Sequence, residues 1–527
     1  MAELSQRTQQ LALEYQRWHK SLLPPKDAST IHVDEVASKV ASFYEKISGA
    51  VDYRDEHLLR KTAVSRKLKR RMLLKKNGED IAEPLVQELI RGGHFQNDFI
   101  EESKIESIKN VIEKYVYILK NSPSAKEGQR SDFYGWILNI AACEIEETLS
   151  PPIRENALVE FMKEEMEERI RVKNGMSESE IAEQIYIAVQ QALFRLDPFL
   201  IGYNLLKKWF PDWKNLKEDR LEMTAKSMHL VREKIEKTLR HPMAEKFYKI
   251  CERYDTPYII LNDILSENPL ENSSQIKDPE SLERMIKKAY AEKVKTLKSR
   301  TARAAFYATF SIFIANILAL LAFEIPFSRY ATGQFNYLAM AIDVLAPTFL
   351  MFLLVATIRP PEKRNLAKLI LETVKIVYET ERKDVYEIKS AKKKGPILKI
   401  TTSFLYLISF LLSFGLIIWG LYQLNFPPAS YFIFLIFVSL VAFTGTKIRE
   451  KAKELKITDE KESVFSFLLD ALSLPILKLG KWLSVRWKKY NVAAIFFGSL
   501  VDMPFQLFVE FLESWRSFLK EKKEEIR

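Results

Sequence analysis

The sequence predicts an all-α protein: a cytosolic multi-helix domain followed by a four-helix transmembrane region and amphipathic C-terminal helices. Three observations carry that class. Glycine is sparse, 15 in 527 residues, and no long alternating apolar–polar run stands out, so helix is the expected element. Apolar runs of bilayer length occur only after residue 300. The net charge of +11 is distributed unevenly, because residues 1–300 hold 50 Lys+Arg against 49 Asp+Glu and the remainder holds 30 against 20. A nucleic-acid binder would carry its excess on the soluble part. Here the excess flanks apolar segments, where it sets membrane orientation and meets anionic lipid.

Residues 1–278 read as consecutive helices divided by turn signals at Pro24-Pro25, Gly92-Gly93, 121–131, Pro151-Pro152 and 266–279, with 121–131 as a candidate internal boundary. Ser177 and Glu180 form a capping box, and Asp278 before Pro279 makes an N-cap with proline at the first helical position. Leu282, Ile286, Ala289 and Leu297 continue a helical stripe toward Ala304. One unbroken helix over 279–323 is therefore expected, a stalk over 279–303 running into the first span and about 68 Å long in all. The N-terminal residues lack an apolar core of signal-peptide length. Two cysteines, Cys143 and Cys251, are too few for a disulfide framework and suit a reducing compartment.

Four runs meet the length that a membrane demands: 304–323, 337–358, 400–421 and 429–446. The last two are one 47-residue charge-free stretch, 400–446, divided at Pro427-Pro428. The segment 359–399 carries twelve Lys+Arg and 447–456 five more, against a single arginine, Arg329, in the two opposite connections. Basic loops stay on the cytoplasmic side, which places both termini there. After Pro360-Pro361 an amphipathic cytosolic helix is expected over 362–394, with Leu366, Ile370, Val374, Val377, Val385 and Ile388 as its apolar edge, lying beside the stalk or on the lipid surface.

The tail, 447–527, is apolar in a different manner. Segment 464–479 is followed by a basic and aromatic stretch, 481–490, and by 491–512, where Ser499, Asp502, Gln506, Glu510 and Glu513 form a narrow polar stripe. Two crossings here would leave four Lys+Arg outside, so an interfacial pair or a shallow re-entrant hairpin is expected, with helices capping the cytosolic bundle as the plainer alternative. Trp482, Arg486, Trp487, Lys488, Lys489 and Tyr490 would then contact anionic headgroups.

Chemistry finds little support. The six histidines show no metal-binding spacing, and no phosphate loop or nucleophile elbow occurs, so no catalytic, cofactor or metal residue is assigned. The clusters Glu144, Glu146, Glu147 and Glu164, Glu165, Glu167, Glu168 read as solvated, salt-bridged faces. The basic run 60–76 contains Arg66, Lys67, Lys69, Arg70 and Arg71, read as a surface helix or an anionic-lipid contact; it lacks stacking aromatics, which argues against nucleic acid. Within the spans Asn316 and Asp343 stand apart, each about 10 Å below the outer end, and are expected to bond one another.

These readings point to a multi-pass protein of the cytoplasmic (inner or plasma) membrane, a non-enzymatic anchor or scaffold for a cytosolic protein partner. The runner-up is a small transporter or channel subunit using Asp343 within a homo-oligomer. A membrane-bound enzyme, with a histidine and a glutamate cluster converging from distant segments, comes third.

Overall fold

In the computed structural model the described residues are 3–23, 29–34, 56–74, 81–123, 130–173, 175–327, 337–356, 363–379, 385–389, 396–452, 455, 464–489, 511, 515 and 518–519. They are almost entirely helical. The chain divides into two compact units. One holds Met1–Lys277, Ile376–Ala391 and Phe496–Arg527, and the other Asp278–Lys375 and Lys392–Ile495.

The first unit is organised around α5 (Arg130–Leu149), packed by α2 (Glu56–Leu74), α4 (Ser103–Asn121) and α8 (Pro198–Trp209). Ile137, Leu138, Ile140, Ala141, Ala142, Cys143 and Ile145 are all buried, so apolar positions surround this helix rather than forming one stripe. Helix α3 (Ala82–Arg91) adds Leu85, Val86 and Leu89 to the same core and ends at Gly92-Gly93, Gly93 taking a positive φ of 73°. The helices α1 (Gln6–Ser21), α6 (Ile153–Arg169), α7 (Glu178–Phe194), α9 (Glu218–Leu239), α10 (Ala244–Arg253), α11 (Asp255–Glu267) and α12 (Pro269–Gln275) complete it. The capping box forms as expected: Ser177 Oγ accepts from Glu180 N at 3.2 Å while Ser177 N donates to Glu180 Oε2 at 2.9 Å.

The segment between the second and third apolar helices departs from expectation. After α13 (Pro279–Ala319) and α14 (Tyr337–Ala356), the expected single helix over 362–394 is replaced by a shorter one, α15 (Lys363–Tyr378). Strand β2 (Tyr386–Lys389) then pairs in parallel with β1 (Ile170–Lys173), Ile170 opposite Tyr386 and Val172 opposite Ile388. Val385 and Ile388 therefore lie outside the helix. The β-branched residues at 172 and 388 suit a strand, and Arg169 fixes its start. Buried to 1 % exposure, Arg169 donates to the Tyr386 hydroxyl and lies 4.8 Å from the Tyr386 ring and 5.2 Å from the Tyr254 ring. Ser5 N donates to Val377 O at 3.0 Å and the Tyr378 hydroxyl to Ile276 O at 2.7 Å, so this segment is bonded into the first unit at both ends of residues 1–277.

In the second unit α13 starts at the Asp278 cap, whose carboxylate accepts from Ser281 N at 3.0 Å, and continues through a wider turn, Leu320–Glu324, for 46 residues in all. Four helices are long and apolar enough to cross a membrane: Pro279–Glu324, Tyr337–Ala356, Ile400–Gln423 and Ser430–Glu450. At most a third of the most apolar stretch of any of them is buried, and Phe306, Phe352 and Phe432 point outward. Large apolar side chains left uncovered in this way suit a lipid environment. The α15 helix lies against α13, where Asn365 Nδ2 donates to the Tyr290 hydroxyl at 3.1 Å.

Helix α18 (Val464–Lys489) packs along α16 (Pro396–Gln423) and α17 (Pro428–Ala452). Pro475 within it has no N–H to offer the carbonyl of Ala471. That carbonyl instead accepts from Ser409 Oγ at 2.5 Å, and Leu472 O accepts from Ser413 Oγ at 2.6 Å. Segment 464–479 is thus held against the middle of α16 rather than standing alone; segment 491–512 lies outside the described residues, Phe511 excepted. Gly480 touches α17 so closely that a Cβ there would meet Ser439 O at 2.0 Å. Gly480→Ala is expected to destabilise the membrane unit by about 2 kcal/mol, although alanine is the better helix former. Gly415→Ala and Gly420→Ala, with nothing within 4 Å of the added methyl, leave it unchanged or more stable. Thermal unfolding in detergent reads the difference, and an unchanged midpoint for Gly480→Ala removes the close packing assigned to it.

Candidate functional site

Two acids and a serine of the apolar helices gather at one place, where α13, α14 and α17 pack together. Glu324 at the end of the wide turn is 2 % exposed, Asp343 on α14 5 %, and Ser430 near the start of α17 0 %. Ser430 Oγ donates to Glu324 Oε1. Asp343 interacts with Glu324 and Ser430, yet neither of its carboxylate oxygens has a hydrogen-bonding partner of good geometry among the described residues. Ala339, Leu421 and Phe426 are buried nearby, with Ile342, Tyr431 and Phe434 against them.

Asn316 reaches the same pair of helices by another route. Its Nδ2 donates to Val344 O at 3.4 Å, a carbonyl that also accepts from Thr348 Oγ1 at 2.9 Å beside the Pro347 break. The expected Asn316–Asp343 hydrogen bond is therefore replaced by a bond to the neighbouring backbone, and Asn316 Oδ1 is left without a partner at 3 % exposure. Glu324 escaped the sequence reading because it follows the last apolar residue and looks like the start of a loop. One signal could have found it: it is the acid nearest to Asp343 across a short connection between antiparallel helices.

The basic run turns largely inward. Glu88 on α3 accepts from Lys67 Nζ at 3.2 Å and Arg71 Nε at 3.0 Å, and is also bonded to Arg70. Lys67 is buried, whereas Arg66 and Lys69 face solvent. Lys61 is buried too, donating to Asp197 at 2.7 Å with its ammonium 4.6 Å from the Phe199 ring. A run with this density of cations would be a lipid or nucleic-acid contact if it were exposed; here α2 spends most of it on buried carboxylates.

The glutamate cluster on α5 is likewise buried, not solvated. Glu144 accepts from Lys114 Nζ at 2.5 Å, the Tyr115 hydroxyl at 2.7 Å and Trp213 Nε1 at 2.9 Å. Glu146 accepts from Arg60 Nε at 3.1 Å, and burial outweighs that arginine to push its carboxyl up to about 7. Glu147 takes Lys207 at 2.7 Å and Lys214 at 3.1 Å, which hold it below the usual carboxylate range against the effect of burial. The second cluster is divided: Glu164 and Glu168 stay half exposed while Glu165 is buried, all three around Arg7.

Of the expected headgroup contacts, Trp482 and Arg486 are exposed on α18, with the guanidinium 5.7 Å from the Trp482 ring. Trp487, Lys488 and Lys489 end the helix, their side chains outside the described set, and Tyr490 lies outside the described residues altogether. Elsewhere on α18, Lys478 Nζ lies 3.9 Å from the Tyr406 ring. No protein-family model, curated protein or solved structure matches this chain. The chain is an all-α protein with four helices long and apolar enough to cross a membrane.

Proposed function

We propose that this protein anchors its large helical unit at the cytoplasmic face of the inner or plasma membrane and acts as a non-enzymatic scaffold for a cytosolic protein partner. One observation carries the topology. Segment Ile376–Ala391, which links the second apolar helix to the third, belongs to the same compact unit as Met1–Lys277 and adds a strand to it. Two crossings separate those segments, so they share one side of the bilayer. That is also the side to which the basic residues of 359–399 and 447–456 assign themselves. The chain passes between the two units four times, at 277/278, 375/376, 391/392 and 495/496, so the helical unit is tethered by more than one connection. Its exposed Arg66 and Lys69, and the Trp482 and Arg486 pair on α18, suit anionic headgroups.

The test is protease treatment of right-side-out and inside-out vesicles, followed by an alkaline wash. The chain is expected to stay in the membrane pellet, with cleavage between residues 121 and 131 and within 359–399 confined to inside-out vesicles. Release by the wash, or cleavage of either segment from the outside, overturns the topology. The scaffold role is read separately by residue-resolved crosslinking in native membranes: crosslinks from unit one to a second protein support it, and crosslinks confined to this chain reject it.

A further inference from the structure

We propose that Glu324, Asp343 and Ser430 form a binding site for one small monovalent cation, a proton or Na⁺, inside the membrane unit. Three separate helices bring these oxygens together, and all three residues are buried. Among the described residues the groups that act on the Asp343 carboxyl are Glu324 and Ser430, with no lysine, arginine or histidine among them. Elsewhere in this chain every buried carboxylate of the α5 and α3 sites has its ammonium or guanidinium, so an unmatched pair is the exception. Two ionised carboxylates side by side in an apolar setting repel one another and forgo their hydration, a state that one bound cation relieves.

A second observation points to a ligand. Both oxygens of Asp343, 5 % exposed, lack a hydrogen-bonding partner of good geometry among the described residues, and so does Oδ1 of Asn316, whose amide group is fixed on the carbonyl of the residue after Asp343. Ile342 and Tyr431, adjacent in the chain to Asp343 and Ser430, pack in the apolar cluster of Ala339, Leu421 and Phe426. All available ligands are hard oxygens, which disfavours transition metals. Two carboxyl groups and one hydroxyl fall short of the six to eight oxygens Ca²⁺ takes, a buried site without open water shells does not suit Mg²⁺, and Na⁺ would need backbone carbonyls to complete its shell. What remains is a proton shared between the carboxyls, with the Ser430 hydroxyl donating to Glu324, or a Na⁺ ion in the same place. Occupancy does not depend on the anchoring role, nor does it require transport.

The test uses the full chain in detergent and the hydrophobic reagent N,N′-dicyclohexylcarbodiimide, which attacks carboxyl groups that carry a proton in an apolar setting. Peptide mass mapping is expected to find one adduct per chain, at Glu324 or Asp343. Its yield should fall about tenfold per pH unit once the site has lost its proton. At fixed pH, slowing by Na⁺ but not by choline identifies Na⁺ as a second occupant; indifference to Na⁺ together with the pH dependence identifies the proton alone. No adduct at either residue, or an adduct whose yield responds to neither pH nor Na⁺, overturns the proposal. Because the native chain is labelled, no variant need fold, and the vesicle topology experiment succeeds or fails independently.

Discussion

Replacing Glu144 by alanine is expected to destabilise the N-terminal unit by about 3–5 kcal/mol, the cost of leaving a buried cation without its partner. The carboxylate is 1 % exposed and serves three donors at once, Lys114, Tyr115 and Trp213. Lys114 also donates to Trp213 O at 3.0 Å, so the ammonium keeps one neutral acceptor and loses its counter-charge. Burial already pulls the Lys114 ammonium below its ordinary range, and Glu144 is what opposes that pull. Urea unfolding in detergent followed by tryptophan fluorescence measures the loss. The double replacement Lys114→Met with Glu144→Leu should recover most of it, because an apolar pair of similar volume needs no counter-charge. The exposed pair Glu222–Lys226 supplies the contrast, and Glu222→Ala leaves the midpoint unchanged. Equal effects from Glu144→Ala and Glu222→Ala would remove the buried network from the account of stability.

Glu88→Ala is the second large loss, about 3–5 kcal/mol near neutral pH, and it carries a pH signature. Burial alone would raise the Glu88 carboxyl, but Lys67, Arg70 and Arg71 outweigh it and hold the group at about 2. A carboxylate held below its unfolded value contributes its stability above the ordinary carboxylate range. That contribution is lost as pH falls from about 4.5 toward about 2, the window between the two states of the group. The wild-type chain should therefore lose stability steeply over that window, and the variant much less. Glu146 acts with the opposite sign: its raised carboxyl favours the fold at low pH and the benefit is lost as pH rises through about 7. Parallel acid unfolding curves for wild type and Glu88→Ala would contradict the assignment of the three cations to this carboxylate.

Both cases show where the sequence stopped being informative. The charge runs 60–76 and 144–147 read as solvated faces because lysine, arginine and glutamate seldom lie buried. Yet α5 already carried a warning: Ile137, Leu138, Ile140, Ala141, Ala142 and Ile145 leave no side of it for water. Charges on a helix covered all round must be buried, and a buried carboxylate needs a cation. Lys114 and Arg60, 30 and 86 residues away from their partners, could not be chosen by spacing. Long-range pairing is a property of how helices pack, and charge pattern along a single chain does not encode it.

The order of helices, the Asp278 and Ser177 caps, the long helix entering the first span and the four apolar rods are local consequences. They follow from apolar length, proline and cap chemistry, which act within a few residues or along one helix. Tertiary structure alone decided three things. It turned residues 386–389 into a strand, because β1 offered an open edge and Arg169 a seat for Tyr386. It laid α18 along α16, because Pro475 bared a carbonyl that a serine could reach. It also set Glu324 beside Asp343, since only the packing of three helices could close the distance between an acid that ends one span and an acid inside the next.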